Sequence, residues 1–439
     1  MAIMSSPARG LWLGSPTATR SRVLAWALWD CGSTATNAIV VTFVFSVYLT
    51  GTVGAGGGTS PASWLGRAMT VAGVTVAALA AATGAWVDAP RRRRLALAGL
   101  TATAVLLTAS MSLVRDDPRY LWLGLALLAA EAACSDLASV PYNAMLRQLA
   151  TPQTAGRVSG FGWAAGYGGS VMLLLIVYLG FISGHGPTRG LAHIPTADGL
   201  NVRAAMLLTA AWFLVFALPL LIWAPKPPAG SDDDQRVSML GAYRKLRSDL
   251  VAEWRRDRNV VYYLLASAVF RDGLSGVFTF GAVLGVVVYG ISQADVLLFG
   301  VSASVVAAGG AAVGGLLDDR IGSKKVILGS LAAMIVVGLT LLTLSGATAF
   351  WVCGLLLCLF IGPTQSSART LLLRMTAHGK EGVAFGLYTT TGRAVIFLAP
   401  LLFSTFVDTF GTDRAGMGGL LVVLAAGFVA MLLVRAPRR

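Results

Sequence analysis

Apolar stretches of about 20 residues, parted by short polar turns, recur almost from one end of the chain to the other. At 1.5 Å per residue, each can cross roughly 30 Å of hydrocarbon as a helix. The pattern predicts about twelve spans, over 23–50, 63–87, 95–114, 119–147, 158–183, 203–224, 260–289, 293–317, 325–345, 347–373, 383–406 and 416–435. One long polar segment, "KPPAGSDDDQRVSMLGAYRKLRSDLVAEWRRDRN", separates the sixth span from the seventh. Its opening reads as linker, and 237–256 is patterned as a basic amphipathic helix for the membrane surface. The expected organisation is an N-terminal segment 1–22, a bundle 23–224, a linker 225–259, a second bundle 260–435 and a tail 436–439.

Composition agrees with that pattern. Of 439 residues, 56% are hydrophobic and 12% charged, about half the charged share of a soluble domain. The net charge of +14 sits in short loops and not along one soluble face, which argues against nucleic-acid binding. Arg20, Arg22, Arg91 to Arg94, Arg147, Arg157, Lys324, Lys325, Arg374, Lys380, Arg438 and Arg439 all fall on one side of the predicted topology. The positive-inside rule makes that side cytoplasmic, with both termini inside and the protein integral to the plasma or inner membrane. The N-terminus lacks a signal-peptide apolar region of sufficient length, so the first span is expected to be retained. Cys31, Cys134, Cys353 and Cys358 lie in apolar spans, while His185, His193 and His378 read as loop residues. Neither a disulfide framework nor a metal site is visible in that spacing.

A short pattern repeats between the halves. "GAWVDAPRRRR" follows the second span and "GGLLDDRIGSKK" the eighth. Gly84 stands four residues before Asp88, and Gly315 four before Asp319, each with a basic cluster behind it. A motif in matching places of two six-helix units is the mark of a transporter built from structural repeats.

These loops resemble the G-x-x-x-D-[RK]-x-G-[RK]-[RK] signature of the major facilitator superfamily. Gly315, Asp319, Arg320, Gly322, Lys324 and Lys325 fit it well; the first copy departs, with Pro90 and four arginines after Asp88. "WALWDCGSTA", the stretch "DLASVPYNAMLRQLATPQTAGRVSGFGWAAGYGG", "FRDG", "GPTQSSART" and "GLYTTTGRAVIFLAPLLF" are similar in order to the Atg22-like branch. Cys31 and Gly32 stand where that branch has Trp and Ala, and Arg271 where a small polar residue is expected. The resemblance implies an all-α fold of two pseudo-symmetric six-helix bundles. It also implies that Gly84, Asp88, Arg91, Arg92 and their second-half counterparts form a gate that breaks as the halves rock; the alternative is that Arg91 to Arg94 only enforce topology and touch anionic lipid.

Charge inside the spans supplies the candidate chemistry. A charged side chain at the bilayer centre costs at least about 2.5–3.5 kcal/mol on insertion scales, so it faces a cavity or a partner. Asp30, Glu131, Asp136, Arg271, Asp272, Arg369 and Arg393 are so placed. Asp30, Ser33, Thr34, Asn37 and Val41 follow one another at i, i+3, i+4, i+7 and i+11, one continuous helical face. That face reads either as a cavity wall with a titrating carboxylate or as one side of a buried ion pair, for example with Arg393. Glu131 and Asp136 are acids that desolvation, without a nearby base, would push toward higher pKa; Asp136, which aligns with an acidic position of the resembling family, is the favoured proton or substrate acceptor. It too could instead pair with Arg271 or Arg393. Asp30, Asp136, Asp272 and Glu131 are the proton-coupling candidates. Asn37, Ser33, Thr34, Asn143, Tyr142, Arg271, Gln365, Tyr388 and Arg393 are the candidates for a substrate cavity. "GYGG" at 166–169 suits close helix packing better than phosphate binding, since no P-loop lysine follows it.

No catalytic triad, zinc cluster, Walker motif or dinucleotide fingerprint is present, so neither an enzyme nor an ATP-driven pump is expected, and no cofactor. The expectation is a monomeric, alternating-access secondary transporter with a small-molecule substrate, protons and membrane lipid as partners. The resemblance points to export of an amino acid or related metabolite. A larger, aromatic-lined cavity would favour a multidrug or lipophilic-metabolite exporter, and static buried pairs a non-transporting scaffold or receptor.

Overall fold

The structure, a computed structural model, describes residues 20–54, 61–184, 186–223, 258–291 and 293–436. Most of the N-terminal segment, nearly all of the linker with its expected amphipathic helix, His185, Arg438 and Arg439 lie outside the described residues. Twelve helices among the described residues are long and apolar enough to cross a membrane. They are α1 Arg20–Val53, α2 Ser63–Trp86, α3 Arg91–Leu113, α4 Pro118–Leu149, α5 Ala155–Ile182, α6 Ala197–Trp223, α7 Arg258–Gly281, α8 Leu298–Ile321, α9 Ser323–Thr343, α10 Ala347–Met375, α11 Glu381–Phe410 and α12 Asp413–Leu433. Their bounds lie within a few residues of most of the predicted ones. Helix α7 continues to Val287, and the helix containing α8 begins at Gln293. A short antiparallel pair, β1 Thr188–Arg189 and β2 Ile194–Pro195, lies between α5 and α6. The fold is two pseudo-symmetric bundles of six helices, and the chain is an integral membrane protein.

Two of the spans are not regular helices. In α1 the turns widen to π-helix over Ala38–Phe43 and again over Leu49–Val53. Such bulges redirect side chains and recur at functional sites. Span α11 is interrupted between Ala394 and Leu398, where the single predicted span 383–406 is in fact two helical pieces. The Asp272 carboxylate accepts a hydrogen bond of 2.6 Å from the Ala399 backbone N–H, just past that break.

Small residues set how closely helices approach. A Cβ on Gly162 would lie 2.5 Å from the Trp26 ring, and one on Gly166 2.8 Å from the Thr34 hydroxyl, so α5 seats directly on α1. The packing reading of "GYGG" therefore holds at Gly166 and Gly169, both against α1, while Gly168 faces open space. At Gly322 a φ of 97° turns α8 into α9, a conformation that glycine adopts without a Cβ penalty.

Candidate functional site

A cavity of about 770 Å³ lies between the halves, with walls from α1, α5, α7, α8, α10 and their neighbours. It reaches toward the end of the bundle remote from the two signature loops: Phe43 is near the far end of α1, Leu174 of α5, and Phe350 is one turn into α10. The widened turn of α1 contributes Ala38, Val41, Thr42 and Phe43, so the bulge is part of the wall. Trp163, Tyr167, Phe278, Phe299 and Phe350 make much of the surface aromatic. Thr34, Asn37, Ser170, Ser304 and Gln365 add uncharged polar groups.

Midway along the spans, two ion pairs join the halves. Asp30 of α1 faces Arg369 of α10 at 3.7 Å, and the Thr34 hydroxyl donates to the other Asp30 oxygen at 3.2 Å. Arg369 is satisfied elsewhere by Asn143 Oδ1 at 3.0 Å, the Ser159 hydroxyl at 2.9 Å and the Ser159 carbonyl at 2.7 Å. Its guanidinium carbon lies 4.7 Å from the Trp26 ring, 5.7 Å from Trp163 and 5.9 Å from Tyr142. In a desolvated site such cation–π contacts reach about 2 kcal/mol or more. The second pair joins Asp136 of α4 to Arg393 of α11, both partly exposed. Nearby, Arg271 stacks 3.7 Å over the Tyr388 ring and donates to the Tyr388 carbonyl at 3.0 Å.

Toward the signature loops the halves are interlocked twice, in related ways. Asp88 accepts from the backbone N–H groups of Gly382 at 2.8 Å and Val383 at 3.3 Å, capping the start of α11. Asp319 accepts from Gly156 N–H at 2.9 Å and Arg157 N–H at 3.1 Å, capping the start of α5. An acid at a helix N-terminus meets unpaired N–H groups and the positive end of the helix dipole. Glycines let the same helices touch: a Cβ on Gly315 would lie 2.6 Å from the Gly156 carbonyl oxygen, and one on Gly386 3.0 Å from Gly84 Cα. Burial pushes the Asp88 carboxyl up to about 6, against the pull of the Val383 and Gly382 N–H groups.

Charged side chains surround each interlock. Glu381, almost wholly buried, meets Arg147 at 2.7 Å and Arg93 at 3.6 Å. Arg374 meets Asp318 at 2.5 Å and Asp319 at 3.3 Å, and donates to the Pro152 carbonyl at 2.9 Å. Arg157 holds Asp319 at 3.0 Å.

Of the residues singled out from sequence, Thr34, Asn37 and Gln365 line the cavity, together with Val41 of the same α1 face. Ser33, Tyr142, Asn143, Arg271, Tyr388 and Arg393 do not. Tyr142 is buried by stacking on Trp26 and Trp29, with ring centroids at 4.6 and 4.3 Å. The partner of Asp30 is Arg369 and not Arg393, because Arg393 is taken by Asp136. Glu131 is fully buried, with the Ser135 hydroxyl donating to it at 2.7 Å and its second oxygen lacking a hydrogen bond among the described residues. In the first signature loop Arg93, not Arg91 or Arg92, turns inward: it is 3% exposed and donates to the Val87 and Ala144 carbonyls. Lys324 donates to the Leu432 carbonyl at 2.9 Å, tying α9 to the end of α12. Sequence reasoning did not single out Glu381, and it had Trp163 and Tyr167 only as part of the family resemblance, not as cavity groups; each follows by one residue a glycine of α5 that packs on α1, and so turns toward the cavity.

The family model described as "Vacuole effluxer Atg22 like" matches residues 53–439. An uncharacterized MFS-type transporter, YxiO of Bacillus subtilis (strain 168), is 22% identical over 417 residues, covering 93% of this chain and 94% of that protein. Autophagy-related protein 22 of Yarrowia lipolytica is 24% identical over 310 residues, which are 64% of this chain and 51% of that protein. Among solved structures, the proton:xylose symporter XylE superposes with a TM-score of 0.72 at 15% identity, covering 95% of this chain and 96% of XylE. FucP in its outward conformation gives a TM-score of 0.66 at 14% identity, with 95% and 99% covered. A bacterial homologue of the iron transporter ferroportin, in its outward-facing state, gives 0.63 at 15% identity, with 94% and 97% covered.

Proposed function

The chain belongs to the Atg22-like family of major facilitator transporters, and from that premise we propose a proton-coupled secondary transporter that exports a small solute by alternating access. The observation that carries this reading is a cavity reaching in from one end and stopping at cross-half interlocks on the other. With the basic loops cytoplasmic, this is the outward-open form, in the plasma or inner membrane, of a chain acting as a monomer.

Both membrane-embedded pairs join the halves, so rocking the bundles separates Asp30 from Arg369 and Asp136 from Arg393. A carboxylate losing its arginine in a desolvated site is strongly destabilised unless it takes up a proton. Protonation at Asp136, the more exposed of the two, therefore eases the transition and couples it to the proton gradient. Asp30 is the second candidate, held more firmly by the contacts on Arg369. Glu131 and Asp272, without an arginine partner among the described residues, serve as reserve acceptors along α4 and α7.

The test is solute exchange in proteoliposomes with and without an imposed pH gradient. Asp136→Asn should retain exchange at equal pH and lose acceleration by the gradient. If no solute in a broad panel exchanges, and Asp136→Asn and Asp30→Asn change nothing measurable, the transporter mechanism is wrong. The aromatic, uncharged cavity wall favours a lipophilic metabolite over an amino acid as cargo.

A further inference from the structure

We infer that the cavity selects an uncharged, amphipathic organic solute larger than a single amino acid, excluding zwitterions. The inference rests on the transporter reading above and narrows its substrate. Among the described residues, no Asp, Glu, Lys, Arg or His lines the 770 Å³ cavity. A volume of that size suits a drug-sized ligand.

The charges closest to hand are already committed. Asp30 lies one hydrogen bond behind Thr34, with one oxygen accepting from that hydroxyl and the other turned to Arg369. Arg369 spends its donors on Asn143 and Ser159. Capturing an ammonium or a carboxylate would mean dismantling a network of five side chains. Bringing either charge into an aromatic wall without a counter-charge forfeits its hydration. An α-amino acid carries both.

What the wall does offer is neutral hydrogen bonding. Among the described residues, the amides of Asn37 and Gln365 have no partner, so each presents a donor and an acceptor. The Ser170 and Ser304 hydroxyls donate back to their own helices, which leaves only their lone pairs to a ligand. The walls therefore fit rings or alkyl groups carrying a few carbonyl, amide or hydroxyl functions.

Binding to the purified protein in nanodiscs, measured by calorimetry, tests this with matched probes. N-acetyl-L-phenylalaninamide and N-acetyl-Phe-Phe-amide are compared with free phenylalanine and free Phe-Phe, which keep the rings and add the charges. The capped forms should bind at least about tenfold more tightly than their zwitterionic partners, with the capped dipeptide the tighter of the two. Gln365→Glu should weaken both capped forms and improve the cationic L-phenylalaninamide; Ser304→Asp, on a different helix, should do the same. Zwitterions binding as well as capped forms, no capped form binding at millimolar concentration, or indifference to both substitutions would overturn the inference. Zwitterions that bind and exchange in proteoliposomes leave the transporter standing while the substrate class falls. Capped probes that bind to a protein whose two ends never change accessibility have the converse meaning.

Discussion

Replacing Gly315 by alanine puts one methyl group where the two halves meet. The added Cβ would lie 2.6 Å from the Gly156 carbonyl oxygen, 3.1 Å from Gly160 Cα and 3.2 Å from Arg157 Cα. All three are backbone atoms of α5, so no side-chain rotation can make room. Overpacking of this kind costs about 1–3 kcal/mol. The cost falls only on the form in which α5 and α8 touch. Alanine's better helix propensity acts equally in every form and cancels. The equilibrium should move away from the interlocked form by about 5–150-fold. A cysteine at Thr42, on the cavity wall, reports the change through its labelling by a membrane-impermeant maleimide, once Cys31, Cys134, Cys353 and Cys358 are replaced. Labelling should slow in Gly315→Ala and stay unchanged in Gly309→Ala, whose Cβ on the same helix meets nothing within 4 Å. Equal labelling of the two variants, both folded, would refute the reasoning.

With Asp30 and Asp136 both replaced by Asn, acidification should favour the interlocked form, because burial holds Asp88 at about 6 there, whereas a water-exposed carboxyl titrates near 3.9. The group binds its proton more tightly when interlocked, so the stabilisation grows as pH falls through 6, by about tenfold in the ratio of forms between pH 7 and 5. It approaches about 3 kcal/mol below the exposed value; distance measurements across pH should see it, and Asp88→Asn should flatten it. Arg369→Ala leaves Asp30 unpaired, and should lower thermal stability by about 3–5 kcal/mol. Asp30→Asn in the same chain should restore part of that loss, and its failure to do so in thermal unfolding would deny the pair its role. Gly386→Ala should act in the same direction as Gly315→Ala and at least as strongly, since its Cβ would lie 2.5 Å from the Ala80 carbonyl oxygen, 3.0 Å from Gly84 Cα and 3.1 Å from Ala81 Cα, all α2 backbone atoms; the Thr42 labelling assay reads this too.

The spans were legible because each is a long apolar run, and hydropathy needs no tertiary information to find it. The matched Gly-x-x-x-Asp loops were equally readable, since a repeated pattern at equivalent places announces a shared role. The pairing of charges was not. Asp30 and Arg393 sit at similar depths, but depth does not tell which helices face each other, and α10 turned out to bring Arg369 to α1. The α1 stripe was read as a straight helix, whereas the wide turn at Ala38–Phe43 turns Thr42 and Phe43 into the cavity. Arg93 could not be told from its three arginine neighbours, because four consecutive identical side chains carry no mark of the one that meets Glu381. Polar residues such as Tyr142 and Asn143 looked like cavity groups, yet they support Arg369 from behind.

The central claim is that two ends of one molecule open in turn around one cavity. Paired spin labels test it, at Arg91 and His378 on the signature end and at Leu113 and Leu344 on the opposite end, all four exposed. In nanodiscs each pair should give two distance populations, and Gly315→Ala should lengthen the first pair while shortening the second. Single distributions at both ends, unmoved by that substitution and by pH, would contradict the account.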